Sequence, residues 1–126
     1  MPLANELVAA RYVSFATFRR DGRKVATPVW AAPLGDDLVM FSAGDAGKIK
    51  RLRNSDRSEL APCDIRGKVE GDFQATIATI MTADETAAAH AALGQKYGWQ
   101  LTLLDFTSRL AGRIKQRAYV RIAAAD

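Results

Sequence analysis

The strongest constraint on the fold is a hairpin near the amino end. Tyr12-Val13-Ser14-Phe15-Ala16-Thr17-Phe18 is dense in β-branched and aromatic residues, and Asp21-Gly22 separates it from a second such run, Val25 to Ala32. Two extended runs flanking a turn dipeptide pair antiparallel. The pattern then repeats. Gly35-Asp36-Asp37 turns the chain into a third strand, Leu38 to Ser42, and Ser58 to Asp64 reads as a fourth. After the turn residues Arg66-Gly67-Lys68 and Glu70-Gly71, Phe73 to about Met81 forms a fifth. Gln116 to Ala124 is a sixth, with Ala118, Val120 and Ile122 on one face and Arg117, Tyr119 and Arg121 on the other.

Only short helices fit between these runs. From Ala46 to Arg53, Ile49 and Leu52 share one helical face while Lys48 and Arg51 share another. Thr82-Ala83-Asp84-Glu85 has capping-box spacing, so a helix starts there, passes His90 and stops at Lys96-Tyr97-Gly98. A further helix, Trp99 to Leu110, carries Leu103, Phe106 and Leu110 at three-to-four spacing, and Gly112 closes it. Hairpin-spaced strands with short helices favour a closed antiparallel sheet over a βαβ architecture. The expected fold is mainly β (α+β), a six-stranded antiparallel split β-barrel with short flanking helices. At 126 residues the chain is read as one domain.

Composition removes several function classes. Cys63 is the only cysteine and His90 the only histidine, which excludes an internal disulfide and leaves a zinc site or a hydrolytic triad almost nothing to build on. No metal is expected. The first residues have neither a basic leader nor a long apolar run, and no stretch approaches ~20 apolar residues, so a cytoplasmic protein without a membrane span is expected. The net charge of +4 suits a polyanionic partner, either nucleic acid or a phosphate- or polyglutamate-bearing cofactor. No stacking aromatic run accompanies the basic residues, which argues against nucleic acid.

The densest chemical signal is Ser42-Ala43-Gly44-Asp45-Ala46-Gly47-Lys48-Ile49-Lys50-Arg51-Leu52-Arg53, where a strand end leads through glycines into a cationic helix. Free amides at a helix start, Lys48 and the Ser42 hydroxyl suit a phosphate, although a solvated basic face would leave the same trace. It is not a Walker A loop, because the glycine spacing is wrong and Ile49 stands where Ser or Thr would bind magnesium. Pro28, inside Ala26-Thr27-Pro28-Val29-Trp30, cannot donate a ladder hydrogen bond and marks an edge or a bulge. Free backbone groups there can meet the polar rim of a planar ring, or the segment is an ordinary edge with Trp30 in the core or at a dimer interface. Cys63 has no activating base and reads as a structural thiol. His90 reads as a surface residue, and Asp45 and Asp64 as turn residues. A chain so poor in acid–base groups fits a cofactor that performs the hard chemical step itself.

Taken in order, Ala26-Thr27-Pro28-Val29-Trp30, Gly47-Lys48-Ile49-Lys50-Arg51-Leu52-Arg53 and Leu60-Ala61-Pro62-Cys63-Asp64 with Arg66-Gly67 resemble the deazaflavin-dependent group of the pyridoxamine-phosphate-oxidase-like split β-barrel proteins. The resemblance spans roughly Tyr12 to Gly71. It implies a homodimer with a cofactor groove at the subunit interface, holding coenzyme F420 or, alternatively, flavin mononucleotide (FMN). Thr27, Pro28 and Val29 match the strand along the ring, Ser42 the end of the next strand, and Lys48, Lys50 and Arg51 the cationic segment that holds phosphate. Cys63 falls on a strand near the cofactor, with no thiol chemistry implied. The surplus of cations favours the deazaflavin, whose oligoglutamate tail would draw on Arg53, Arg57 or Arg66. The implied reaction is hydride transfer between the reduced ring and a small unsaturated or quinone-like substrate; a non-enzymatic cofactor-binding protein is the other reading. True pyridoxamine-phosphate oxidases carry further carboxyl-terminal basic motifs that have no match here.

Overall fold

The structure, a computed structural model, describes residues 2–113 and 116–125. Its elements in chain order are α1 (Asn5–Ala9), β1 (Tyr12–Phe18), β2 (Lys24–Val29), β3 (Ala32–Leu34), β4 (Asp37–Ala43), α2 (Gly47–Leu52), β5 (Arg57–Cys63), β6 (Gln74–Ile80), α3 (Thr86–Tyr97), α4 (Trp99–Leu110) and β7 (Arg117–Ala124). The strands form one antiparallel sheet in the order β2-β1-β5-β6-β7-β4-β3. The two edges of this sheet are neighbours in sequence. Only Trp30 and Ala31 join them, so Val29 and Ala32 lie within about 10 Å of each other. The sheet must therefore curl until its edges meet at that end, while they stay apart at the other. The result is the expected α+β split half-barrel.

Alternation along each strand sorts residues into two cores. Val13, Phe15, Leu38, Met40, Leu60, Val120 and Ile122 point inward and fill the barrel, joined by Leu7 from α1 and by Ile49 and Leu52 from α2. Val39, between Leu38 and Met40, points outward and is equally buried, because α3 and α4 cover that side with Ala89, Leu93, Tyr97 and Leu101. The same rule explains β7, where Val120 and Ile122 lie in the barrel and Arg117, Tyr119 and Arg121 alternate on the outer face.

The run read as one strand from Val25 to Ala32 is two. It bends at Trp30-Ala31 to pass from one edge to the other, giving seven strands instead of six. Pro28 in β2 and Pro33 in β3 occupy the two edges, where a missing donor breaks no ladder. Glu85 reaches back to the amide and the hydroxyl of Thr82, both at 3.0 Å, and the chain passes through a single 3-10 turn, Ala83–Glu85, into α3. Between α3 and α4, Gly98 takes φ 57°, a left-handed value that glycine reaches without strain. The apolar face of α4 points away from the protein. Trp99, Leu103, Phe106 and Leu110 are 73%, 55%, 60% and 74% exposed, whereas Leu101, Asp105 and Ser108 face inward.

Candidate cofactor site

The open end of the barrel is lined by hydroxyls rather than hydrocarbon. Thr17, Ser58 and Thr76 lie side by side across β1, β5 and β6, all buried, with Ser58 and Thr76 bonded at 2.7 Å. Above them sits α2, anchored by Ile49 and Leu52. Arg51 leans from α2 onto β1, and its Nε donates to Thr17 Oγ1 at 2.6 Å. Its guanidinium folds back over Gly47, where a Cβ would stand 2.9 Å from Nη1, so a side chain at 47 would push it away. Lys48, one turn earlier on the same face, is half-buried; burial first, and the nearby Arg51 charge second, push its pKa down. Among the described residues neither cation is ion-paired with a carboxylate.

Other sequence-predicted residues fall around this pair to different degrees. Lys50 lies on the opposite, exposed side of α2, as a residue two positions from Lys48 must. Ser42, half-buried, is the penultimate residue of β4, opposite Ala118. Thr27 occupies the inward face of β2 opposite Phe15, one inward position from the Thr17 row, and its Oγ1 is shut off from solvent without a hydrogen-bond partner among the described residues. Val29 follows in the core, and Pro28 points outward. A Cβ at position 67 would stand 3.3 Å from Pro28 Cδ, so the Asp64–Lys68 turn lies against this edge. Asp64 is the organiser of that turn, its Oδ1 accepting from the amides of Arg66 and Lys68 at 2.9 and 2.8 Å. Cys63 is buried at the far end of β5, five residues and about 16 Å along the strand from Ser58. Burial, then Asp64 and Glu70, raise its pKa and keep the thiol protonated.

Two features were not legible in the sequence. Beside α2, Arg19, Arg20, Arg51, Arg57, Asn54 and Ser55 line a recess of about 320 Å³. Arg57 is held by stacking 3.8 Å over the Phe18 ring. Arg53 lies outside this recess, directed at the Gly44 carbonyl at 3.4 Å, and Arg66 belongs to the Asp64 turn. The doubled arginine before Asp21-Gly22 was the available signal, but only the fold brings it to α2. The second feature lies on the outer face of the sheet, beneath α3 and α4, where Arg117 pairs across from Ala43. Asp105 Oδ1 accepts from Arg117 Nη1 and its Oδ2 meets His90 Nε2, both at 2.7 Å, while Arg117 Nη2 donates to Ser108 Oγ at 3.1 Å. Burial raises the Asp105 pKa, but Arg117 and His90 outweigh it and hold the carboxyl below its ordinary value. His90 is thus a tie between α3 and α4 rather than a solvated surface residue.

Lys96 and Tyr97 are satisfied structurally. Lys96 Nζ donates to the carbonyls of Val8, Ala10 and Ala31, and the Tyr97 hydroxyl lies between the Ala31 amide and the Arg11 carbonyl. Among the described residues no cluster of three or more His, Cys, Asp or Glu side chains could hold a metal, and no helix is long and apolar enough to cross a membrane.

No protein-family model and no curated protein matches the sequence. Solved structures do match the fold. A protein of unknown function from Agrobacterium tumefaciens superposes with a TM-score of 0.72 over 96% of this chain at 15% identity, and this chain spans only about half (51%) of it. The haem storage protein HutZ of Vibrio cholerae gives 0.71 at 11% identity, over 96% of this chain and 86% of that one. A putative pyridoxamine 5'-phosphate oxidase from Listeria innocua gives 0.60 at 10% identity, covering 96% and 89%. The fold is the pyridoxamine-phosphate-oxidase-like split barrel. Within it, a protein named F420 reductase superposes with a TM-score of 0.62 over 100% of this chain and 96% of its own, at 14% identity.

Proposed function

We propose that this split barrel is a cytoplasmic, homodimeric F420-dependent reductase that transfers hydride between the deazaflavin and a small unsaturated or quinone-like substrate. The observation that carries this reading is the Lys48–Arg51 pair, without a carboxylate partner among the described residues, at the open end of the barrel against β1, the strand next to the edge strand β2. Two adjacent cations held together on one helical face repel each other, and an anion between them removes that cost. α2 is only six residues long and has no side-chain cap, so these side chains, more than the helix start, supply the attraction. Lys48, Arg51 and Ser42 would hold the phosphate, and Thr27, Pro28 and Val29 would border the ring, with the unpartnered Thr27 hydroxyl facing inward beside the Thr17 row.

When bound, the deazaflavin supplies the hydride chemistry. The chain's own work is then to grip the phosphate, orient the ring along β2 and keep water from its inner side, where Phe15 and Val29 are buried. Cys63, protonated and distant from the cations, serves as wall. FMN is the second reading, since Lys48 and Arg51 meet the needs of one phosphate. The deazaflavin is favoured because Arg19, Arg20 and Arg57 continue the positive surface beyond that pair, as an oligoglutamate tail requires. Haem is disfavoured because the one imidazole is committed to Asp105.

Titration of the purified protein with oxidised coenzyme F420, followed by its fluorescence, tests the reading. Saturable binding at micromolar concentrations is expected, and no response there would overturn it. A yellow preparation that releases flavin on denaturation would transfer the assignment to FMN.

A further inference from the structure

The outward face of α4 is the largest apolar feature that the cofactor reading leaves unused. Its exposed side chains Trp99, Leu103, Phe106 and Leu110 follow one another at spacings of four, three and four. That is the two-per-heptad seam of paired helices. A helix with a polar outer surface would leave no such stripe, and contiguous exposed apolar area on this scale marks an interface.

The order of residues along the stripe selects the occupant. When two copies of α4 lie antiparallel about a two-fold axis midway between Leu104 and Asp105, position 99 meets position 110 and position 103 meets position 106. Trp99 then faces the partner's Leu110, and Leu103 faces the partner's Phe106, with the two remaining layers generated by symmetry. Every layer combines one aromatic ring with one leucine, so bulk is even along the seam, as isologous packing requires. The flanks agree. Gln100 falls beside the partner's Thr107 and Thr102 beside the partner's Arg109, so no like charges meet across the seam. On one side Trp30 and Leu104 widen the patch around a shallow groove of about 370 Å³. With aromatic side chains offering about 150–250 Å² each, the seam covers roughly 500 Å² per copy. Two copies bury on the order of 1,000 Å², the lower bound of a specific interface.

We infer that α4 pairs with α4 of a second copy of this chain in an antiparallel, two-fold symmetric contact. The contact is separate from the cofactor groove and does not depend on which cofactor binds there. If the groove also lies between subunits, the two axes together build a tetramer. Without the groove interface, α4 alone builds a dimer.

Molar mass by light scattering at tens of micromolar distinguishes these states from a wild-type monomer. The Leu103→Glu, Phe106→Glu double variant should halve the mass, with circular dichroism unchanged because both side chains are already exposed. An unchanged mass, or a wild-type monomer, would overturn the contact, including the case in which the stripe serves a foreign protein. Orientation is tested separately in a Cys63→Ala background. The Trp99→Cys, Leu110→Cys double variant should form a covalent dimer on mild oxidation. Each single variant should not, because like positions then lie about 16 Å apart along the axis. Cross-linking by the single variants would instead indicate parallel pairing and overturn the two-fold model. F420 titration of the glutamate variant separates this contact from the cofactor reading, since affinity there measures the groove alone.

Discussion

Two groups of cationic side chains, one on the outer face of the sheet and one at the open end of the barrel, are built on opposite principles. On the helical side, Arg117 has a side chain only 5% exposed, yet Asp105 takes one of its amines, Ser108 another, and the Phe41 ring lies 4.3 Å from its carbon. On the open side, Arg51, Arg19, Arg20 and Arg57 line the recess beside α2, with Lys48 on the helix itself, and among the described residues none of them is ion-paired with a carboxylate. A buried arginine with every partner in place is part of the structure. Several arginines assembled without a paired carboxylate among the described residues remain open to an anionic ligand. The contrast separates charge that holds the fold from charge available for function, although both look alike in composition.

The comparison can be broken most forcefully at Asp105. Asp105→Ala leaves Arg117 buried without its carboxylate and should cost about 3–5 kcal/mol in urea unfolding. The same pairing has a pH signature. A carboxyl held below its ordinary value stabilises the fold above the unfolded pKa, and that contribution is lost as pH falls through the folded pKa. Asp105→Asn should flatten the acid limb of stability against pH; an unaltered limb would place the acid sensitivity elsewhere. At the open end the loss should appear in binding instead. Arg51→Ala or Lys48→Ala should weaken F420 roughly 10- to 100-fold, the value of one charge-assisted hydrogen bond. Lys48→Ala should change stability by under ~1 kcal/mol, and Arg51→Ala, which strips the buried Thr17 hydroxyl of its donor, by about 1–3 kcal/mol. A large loss of stability with intact affinity would move Arg51 into the structural class. The smallest effect belongs to Lys50→Ala, which should change affinity less than about twofold because its side chain leaves α2 on the far side. An equal loss there would show that general positive charge, rather than the Lys48–Arg51 pair, attracts the ligand.

Much of the barrel was legible because its strands are bounded by turn chemistry and filled with β-branched and aromatic residues. β1, β4, β5 and β7 fall within a residue or two of their expected limits. The bend at Trp30-Ala31 was not legible, since no glycine or turn dipeptide marks it. It is imposed by the curl of the sheet and by Tyr97, whose hydroxyl meets the Ala31 amide from 66 residues away. Spacing on α4 identified a stripe but not its direction. The inward face of that helix carries Asp105 and Ser108, polar residues that suit burial only once His90 and Arg117 are brought to them. For the same reason Lys48 and Arg51, three apart on one helix, could be paired from sequence, whereas the arginines of the β1–β2 turn could not. Local periodicity reaches across one turn of helix, and the rest of the recess is assembled by tertiary contacts.

The prolines at the two ends of the sheet have a consequence for how this protein can go wrong. An exposed edge strand offers a row of unpaired amides and carbonyls to any other chain in extended form, the first step toward fibrous aggregates. Here one edge carries Pro28 and the other Pro33, each deleting a donor where a foreign strand would dock. Growth by strand addition is thereby discouraged at both ends of the sheet.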